Sequence, residues 1–66
     1  MRMQWTDVSD IAIALTEIFP EQNPLEVSFP DLYQRVMSLE GFEGDPNHCG
    51  EKILEAIQMA WLDEYN

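Results

Sequence analysis

Carboxylates dominate the chemistry this chain can offer. Thirteen Asp and Glu residues stand against three Lys and Arg in 66 residues, with the single His and single Cys adjacent at His48-Cys49. Glu40, Glu43 and Asp45 fall within six residues, and Glu51 and Glu55 follow one helical turn apart. Oxygen donors of this kind suit hard or borderline divalent ions such as Ca²⁺, Mn²⁺ and Fe²⁺. No D-x-D-x-D-G loop is present to impose a cage, so any cation is expected to be held by surface carboxylates, weakly and with modest selectivity. The plainer account of the same residues is a solvated acidic face that keeps a small protein in solution. Sequence chemistry leaves both open.

His48-Cys49 is the only place where softer ligands meet. A structural zinc site needs four ligands at recognisable spacing. A nucleophilic Cys49 needs a neighbouring base or cation to lower its pKa, and the surrounding acids push it the other way. Neither a zinc centre nor thiol catalysis is expected. The chain reads as a non-enzyme without a tightly bound cofactor.

A second set of residues reads as a docking surface. Asp63 and Glu64 sit in the last turn of the final helix, where the backbone carbonyls already make the field negative and each carboxylate costs about 0.3–1 kcal/mol. Glu51 and Glu55 are like charges one turn apart, which costs a few tenths more. Leu62 and Tyr65 place apolar and aromatic surface beside these acids, the pattern of an anchor within a charged rim. Single exposed leucines are also ordinary, so the anchor is one of two readings.

A formal charge of −10 excludes nucleic acid, whose phosphates are bound by Lys and Arg, and excludes anionic membrane surfaces. Such a field draws in cations or a protein with a basic patch. From Glu40 to the end seven acids face Lys52 alone, so the acidity is expected to be concentrated there. A lone cysteine rules out an internal disulfide. Met1-Arg-Met-Gln-Trp5 shows no apolar signal core, and no run approaches the length of a membrane span. A cytoplasmic monomer is expected.

The elements that must carry these side chains are legible from periodicity. Ile53, Leu54, Ile57 and Trp61 form one stripe of a helix over 51–65, with Glu51, Glu55, Gln58 and Leu62 opposite. Ile11, Leu15, Ile18 and Phe19 predict a helix over 7–19, started by a capping box at Asp7 and Asp10 and stopped by Pro20. Asn23 and Pro24 open a short helical turn. Ser28 caps a further helix reaching Leu39 or Glu40, with Val27 stapled against Leu32. The loop 40–50 is broken by Gly41, Gly44 and Pro46, and Phe42 is its anchor under the last helix. The core is expected from Trp5, Ile11, Leu15, Ile18, Phe19, Phe29, Leu32, Val36, Leu39, Phe42, Ile53, Leu54, Ile57 and Trp61. The result is one mainly α, helix-turn-helix-like domain of three to four helices, large enough to bury only about 60% of its surface.

Trp5-Thr-Asp7, Phe29 with Asp31-Leu32, Leu39-Glu-x-Phe42 with Asp45-Pro46, and Glu51-Lys-Ile-Leu-Glu-Ala-Ile57 with Trp61-Leu-Asp-Glu64 resemble the IscX family over the whole chain. These are small acidic proteins of bacterial iron–sulfur cluster assembly. The resemblance implies a winged-helix-like fold, weak Fe²⁺ binding on acidic surface residues, and docking to a cysteine desulfurase as adaptor, regulator or iron donor. By position it carries over Asp7, Asp31, Glu40, Glu43, Asp45, Glu51, Glu55, Asp63 and Glu64. Together with the docking anchor read above, these give expected weak iron ligands at Glu40, Glu43, Asp45, Glu51 and Glu55, and expected partner contacts at Asp7, Asp31, Glu55, Leu62, Asp63, Glu64 and Tyr65. The family's acidic loop is usually denser, whereas Gly41 and Gly44 dilute it here. Cys49-Gly50 replaces a common Ser-Asn, with Asn47 expected to cap the last helix instead. A ferrous-iron donor or sensor, and an acidic decoy for a basic protein outside this pathway, remain alternative functions.

Overall fold

A computed structural model describes residues 2–66; Met1, part of the stretch read for a signal core, lies outside the described residues. Three α-helices form where the apolar period is strongest: α1 at Val8–Ile18, α2 at Phe29–Met37 and α3 at Glu51–Tyr65. Two 3₁₀ turns, Pro24–Glu26 and Pro46–His48, punctuate the connections. No strand occurs among the described residues, and the only strand-like feature there is an isolated parallel bridge between Met3 and Phe42.

The helix starts divide by what their capping side chains do. Ser28 accepts from the Asp31 N–H (3.4 Å) and Val27 is buried beside fully buried Leu32, as the staple requires. Asn23 caps the first 3₁₀ turn by accepting from the Leu25 N–H at 3.0 Å. The expected capping box at α1 is absent. Asp7 Oδ2 instead accepts from the Gln4 N–H (2.8 Å), because the chain turns there, with the Asp7 N–H donating back to the Gln4 carbonyl at 2.9 Å. Asn47 does not cap α3 either. Its N–H is taken by Asp45 Oδ1 (2.9 Å), and Gly50, which has no side chain to offer, stands at the N-cap of α3. α2 stops at Met37, with the Ser38 N–H and hydroxyl both donating to the Gln34 carbonyl.

α3 lies chiefly against α1, with smaller contacts to α2 and the first 3₁₀ turn. Trp61, Ile11, Leu15, Leu32, Ile57 and Val36 are fully buried between them. Each such side chain contributes about 1.5–3 kcal/mol. Gln58 Nε2 donates to the Pro24 carbonyl at 3.0 Å, pinning the first turn onto α3. Met3, Ala12, Val27 and Pro24 are buried beyond the residues expected from periodicity.

Ile18 was expected in the core and is 55% exposed. It occupies the last helical position, and Phe19 takes the inward place, 6.4 Å from the Trp61 ring. Phe42 is half-buried, and its aromatic partner belongs to the N-terminal segment rather than to α3. Its ring meets Trp5 edge-on at 4.7 Å, held there by the Met3 N–H to Gly41 carbonyl (2.8 Å) and Glu43 N–H to Met3 carbonyl (2.7 Å) bonds. Gly41 has φ 85°, a left-handed conformation that glycine adopts without strain. Trp5 Nε1 donates to the Asp45 carbonyl at 2.7 Å, so this one tryptophan organises the whole 40–48 loop.

Candidate functional site

Apart from the half-buried Asp7 and Asp10 the acidic residues are exposed, and most have no ionic partner among the described residues. Arg2 pairs with Glu43 at 3.2 Å and Arg35 with Asp31 at 3.2 Å. His48 Nε2 lies 3.8 Å from Asp45 Oδ2. Glu40, Glu51, Glu55, Asp63 and Glu64 are exposed and make no ion pair among the described residues, nor does Lys52. The negative field is therefore left largely uncompensated.

That field is wider than the sequence suggested. Asp10, Glu17, Glu21 and Glu26 on α1 and the following connection likewise make no ion pair among the described residues. Acidity is not confined to the C-terminal half. On α3 a turn of about 100° per residue keeps Glu51, Glu55 and Leu62 on one side and swings Glu64 away from it. Leu62 is half-buried and Tyr65 is 39% exposed, so each offers part of its surface. Met59, 53% exposed, lies on the same outward side of α3, close to Lys52, Glu55 and Ala56. Sequence reasoning missed it, although its helical angle near Glu55 was the available signal.

Among the described residues no three His, Cys, Asp or Glu side chains come together so as to hold a metal ion. Glu40, Glu43, Asp45, Glu51 and Glu55 thus offer oxygen in ones and twos. Asp45 is further committed to capping Asn47, and Glu43 to Arg2. Of the other partner-contact residues, Asp7 is half-buried and tied to Gln4, while Asp31 is exposed but paired with Arg35. The Cys49 thiol is pushed up from its ordinary value by burial. The direction is the expected one and the cause is desolvation, since the half-buried sulfur is removed from water.

What the fold and surface define is a small, three-helix, strongly acidic module. A family model described as iron–sulphur cluster assembly matches residues 3–66, and the chain belongs to that family, the IscX family of the resemblance above. It is similar to PA3808, an uncharacterized protein of Pseudomonas aeruginosa, at 52% identity over 64 residues and 97% of each chain. No helix among the described residues is long and apolar enough to cross a membrane.

Proposed function

We propose that the chain is a non-enzymatic acidic adaptor of iron–sulphur cluster assembly. It docks as a cytoplasmic monomer on a basic patch of a cysteine desulfurase and takes ferrous iron weakly, as cargo, on its surface carboxylates. One observation carries this reading beyond the family: Glu51, Glu55, Asp63 and Glu64 line exposed parts of α3 with no basic residue in its last turn. Of these, Asp63 and Glu64 in the last turn oppose the helix dipole and lower stability, and a cationic partner relieves that repulsion. The helix-turn-helix-like shape, and the winged-helix kinship the resemblance implies, serve here as a scaffold whose surface sign repels nucleic acid.

Binding to the desulfurase is measured over a salt series. Exposed charge contacts weaken steeply as screening shortens, and the double variant Asp63→Lys, Glu64→Lys weakens binding while the helical spectrum is kept. Flat salt dependence overturns the reading. Anaerobic Fe²⁺ titration shifts the amides around Glu40–Glu55 and Asp63; identical shifts with Mg²⁺ reduce iron binding to a general cation atmosphere.

A further inference from the structure

We propose that the groove between the starts of α2 and α3 receives an apolar side chain of a basic protein segment, and so anchors the contact that the exposed acids steer. This rests on the adaptor reading and names the part of the surface that reading leaves unassigned. The groove has a volume of about 400 Å³, with Phe29, Pro30 and Tyr33 on one wall, Cys49 and Leu54 on the other, and Glu51 at the rim.

Its lining is mostly apolar or aromatic, with Glu51 the one charged residue in it. Phe29, Tyr33 and Cys49 are each only half-buried, so three apolar or aromatic side chains keep one face toward the opening. Tyr33 stacks on Trp5 at 5.8 Å, and its hydroxyl reaches the Pro46 carbonyl only at 3.5 Å. The Tyr33 ring is therefore backed by the buried Trp5. A shallow apolar groove with a carboxylate beside it is a place where an interface anchor can seat.

Charge selects the occupant. Glu51 stands at the rim and Glu55 lies one turn further along α3, with Lys52 the one unpaired basic residue nearby, while Asp31 on α2 is paired with Arg35. Arg35, the cation on α2, is turned onto Asp31 and the Phe19 ring. A second copy of this chain brings another −10 of charge and is repelled. Nucleic acid and acidic lipid are repelled for the same reason. A leucine or phenylalanine flanked by Lys or Arg satisfies both wall and rim, which commits the groove to a basic protein.

The test uses the full chain and the pathway's cysteine desulfurase as probe. Cys49→Phe fills the groove without changing charge, and binding is measured by calorimetry at two salt concentrations. The expected result is at least a tenfold loss of affinity with the salt slope retained, whereas Glu55→Lys weakens binding and flattens the slope. The wild-type chain supplies a second readout that does not depend on how Cys49→Phe folds. Cys49 is the single thiol, and its rate of maleimide labelling should fall several-fold when the desulfurase saturates it. Unchanged affinity of a folded Cys49→Phe, or unchanged labelling under saturation, overturns the groove while leaving the adaptor reading intact. Failure of the wild-type chain to bind at all overturns both.

Discussion

The Arg35 guanidinium lies 4.5 Å from the centre of the Phe19 ring. The same group holds Asp31 at 3.2 Å and reaches Gln22 Oε1 at 3.5 Å. One side chain of α2 thus covers the end of α1 and the start of the connection that leads to α2. Phe19 in turn rests near Trp61 of α3, so three helices meet through this stack.

Replacing Arg35 with Ala should lower stability by about 1 kcal/mol. A cation over an aromatic face is worth about 0.5–1 kcal/mol at partly exposed sites, and the half-exposed ion pair adds only a few tenths. Arg35→Lys keeps the charge but loses the planar fork and should fall between the two. Urea unfolding followed by tryptophan fluorescence reads the difference, and an Arg35→Ala midpoint equal to wild type removes the stack from the account of stability.

Gly44 packs beneath two aromatic rings. A Cβ there would come within 2.8 Å of the Trp5 ring and press on Phe42 as well. The Trp5 ring cannot withdraw freely, because it is buried and its Nε1 donates to the Asp45 carbonyl. Gly44→Ala should therefore cost about 1–3 kcal/mol, the usual range for overpacking. The Trp5 indole N–H resonance should move with it; a variant with wild-type stability and an unmoved resonance refutes the close packing.

Gly50 is the opposite case. Nothing lies within 4 Å of a Cβ placed on it, and its φ of −117° and ψ of 167° suit any residue at a helix N-cap. Gly50→Ser supplies the missing acceptor for the first turn of α3. The gain should be a few tenths of a kcal/mol, the known difference between Ser and Gly at such positions. A lowered melting temperature would show that the backbone at Gly50 matters for another reason.

These three positions show where sequence reasoning reached and where it stopped. The stripes of α1, α2 and α3, the Ser28 cap and the Val27 staple follow from local spacing, and local spacing is what a sequence displays. Asp7 and Asn47 have the residue types of caps, yet each is taken up by a local turn, Asp7 with Gln4 and Asn47 with Asp45. Phe42 shares its bridge with Met3 across about forty residues, and no periodicity reports such a partner. For the candidate site, exposure of Glu55, Asp63 and Glu64 was legible because they fall outside the apolar stripe. The Phe29–Tyr33–Cys49–Leu54 groove was not, since it exists only once α2 and α3 are set side by side.

Burial raises the Cys49 pKa, and the sign of its effect on stability follows. The folded state holds the thiol proton more tightly than the unfolded chain, so between the two pKa values the folded state carries more bound protons. Stability is then unaffected below the ordinary thiol range of about 8.5–9 and declines as pH rises through the folded value. Unfolding midpoints measured across pH 7–10 should fall more for wild type than for Cys49→Ser. Parallel curves for the two proteins would remove the buried thiol as the cause.

Added salt should stabilise this fold, against the usual expectation for a protein with ion pairs. Two arginine–carboxylate pairs are the ionic contacts of Lys and Arg among the described residues, both partly exposed and worth little. Opposing them is a formal charge of −10 on a body only 28 × 24 × 16 Å across. Those dimensions exceed a Debye length of about 10 Å at 0.1 M salt and fall within one of about 30 Å at 0.01 M. At low salt each carboxylate therefore feels most of the others, and at moderate salt only its neighbours. Because the compact state crowds the charges more than the unfolded chain does, screening favours folding. The melting temperature should rise by several degrees between 10 and 200 mM NaCl, and the Glu55→Lys variant should show a smaller rise from a higher starting point. A melting temperature that falls with salt would mean the pairs outweigh the repulsion, and the exposed α3 acids would then carry no strain for a basic partner to relieve.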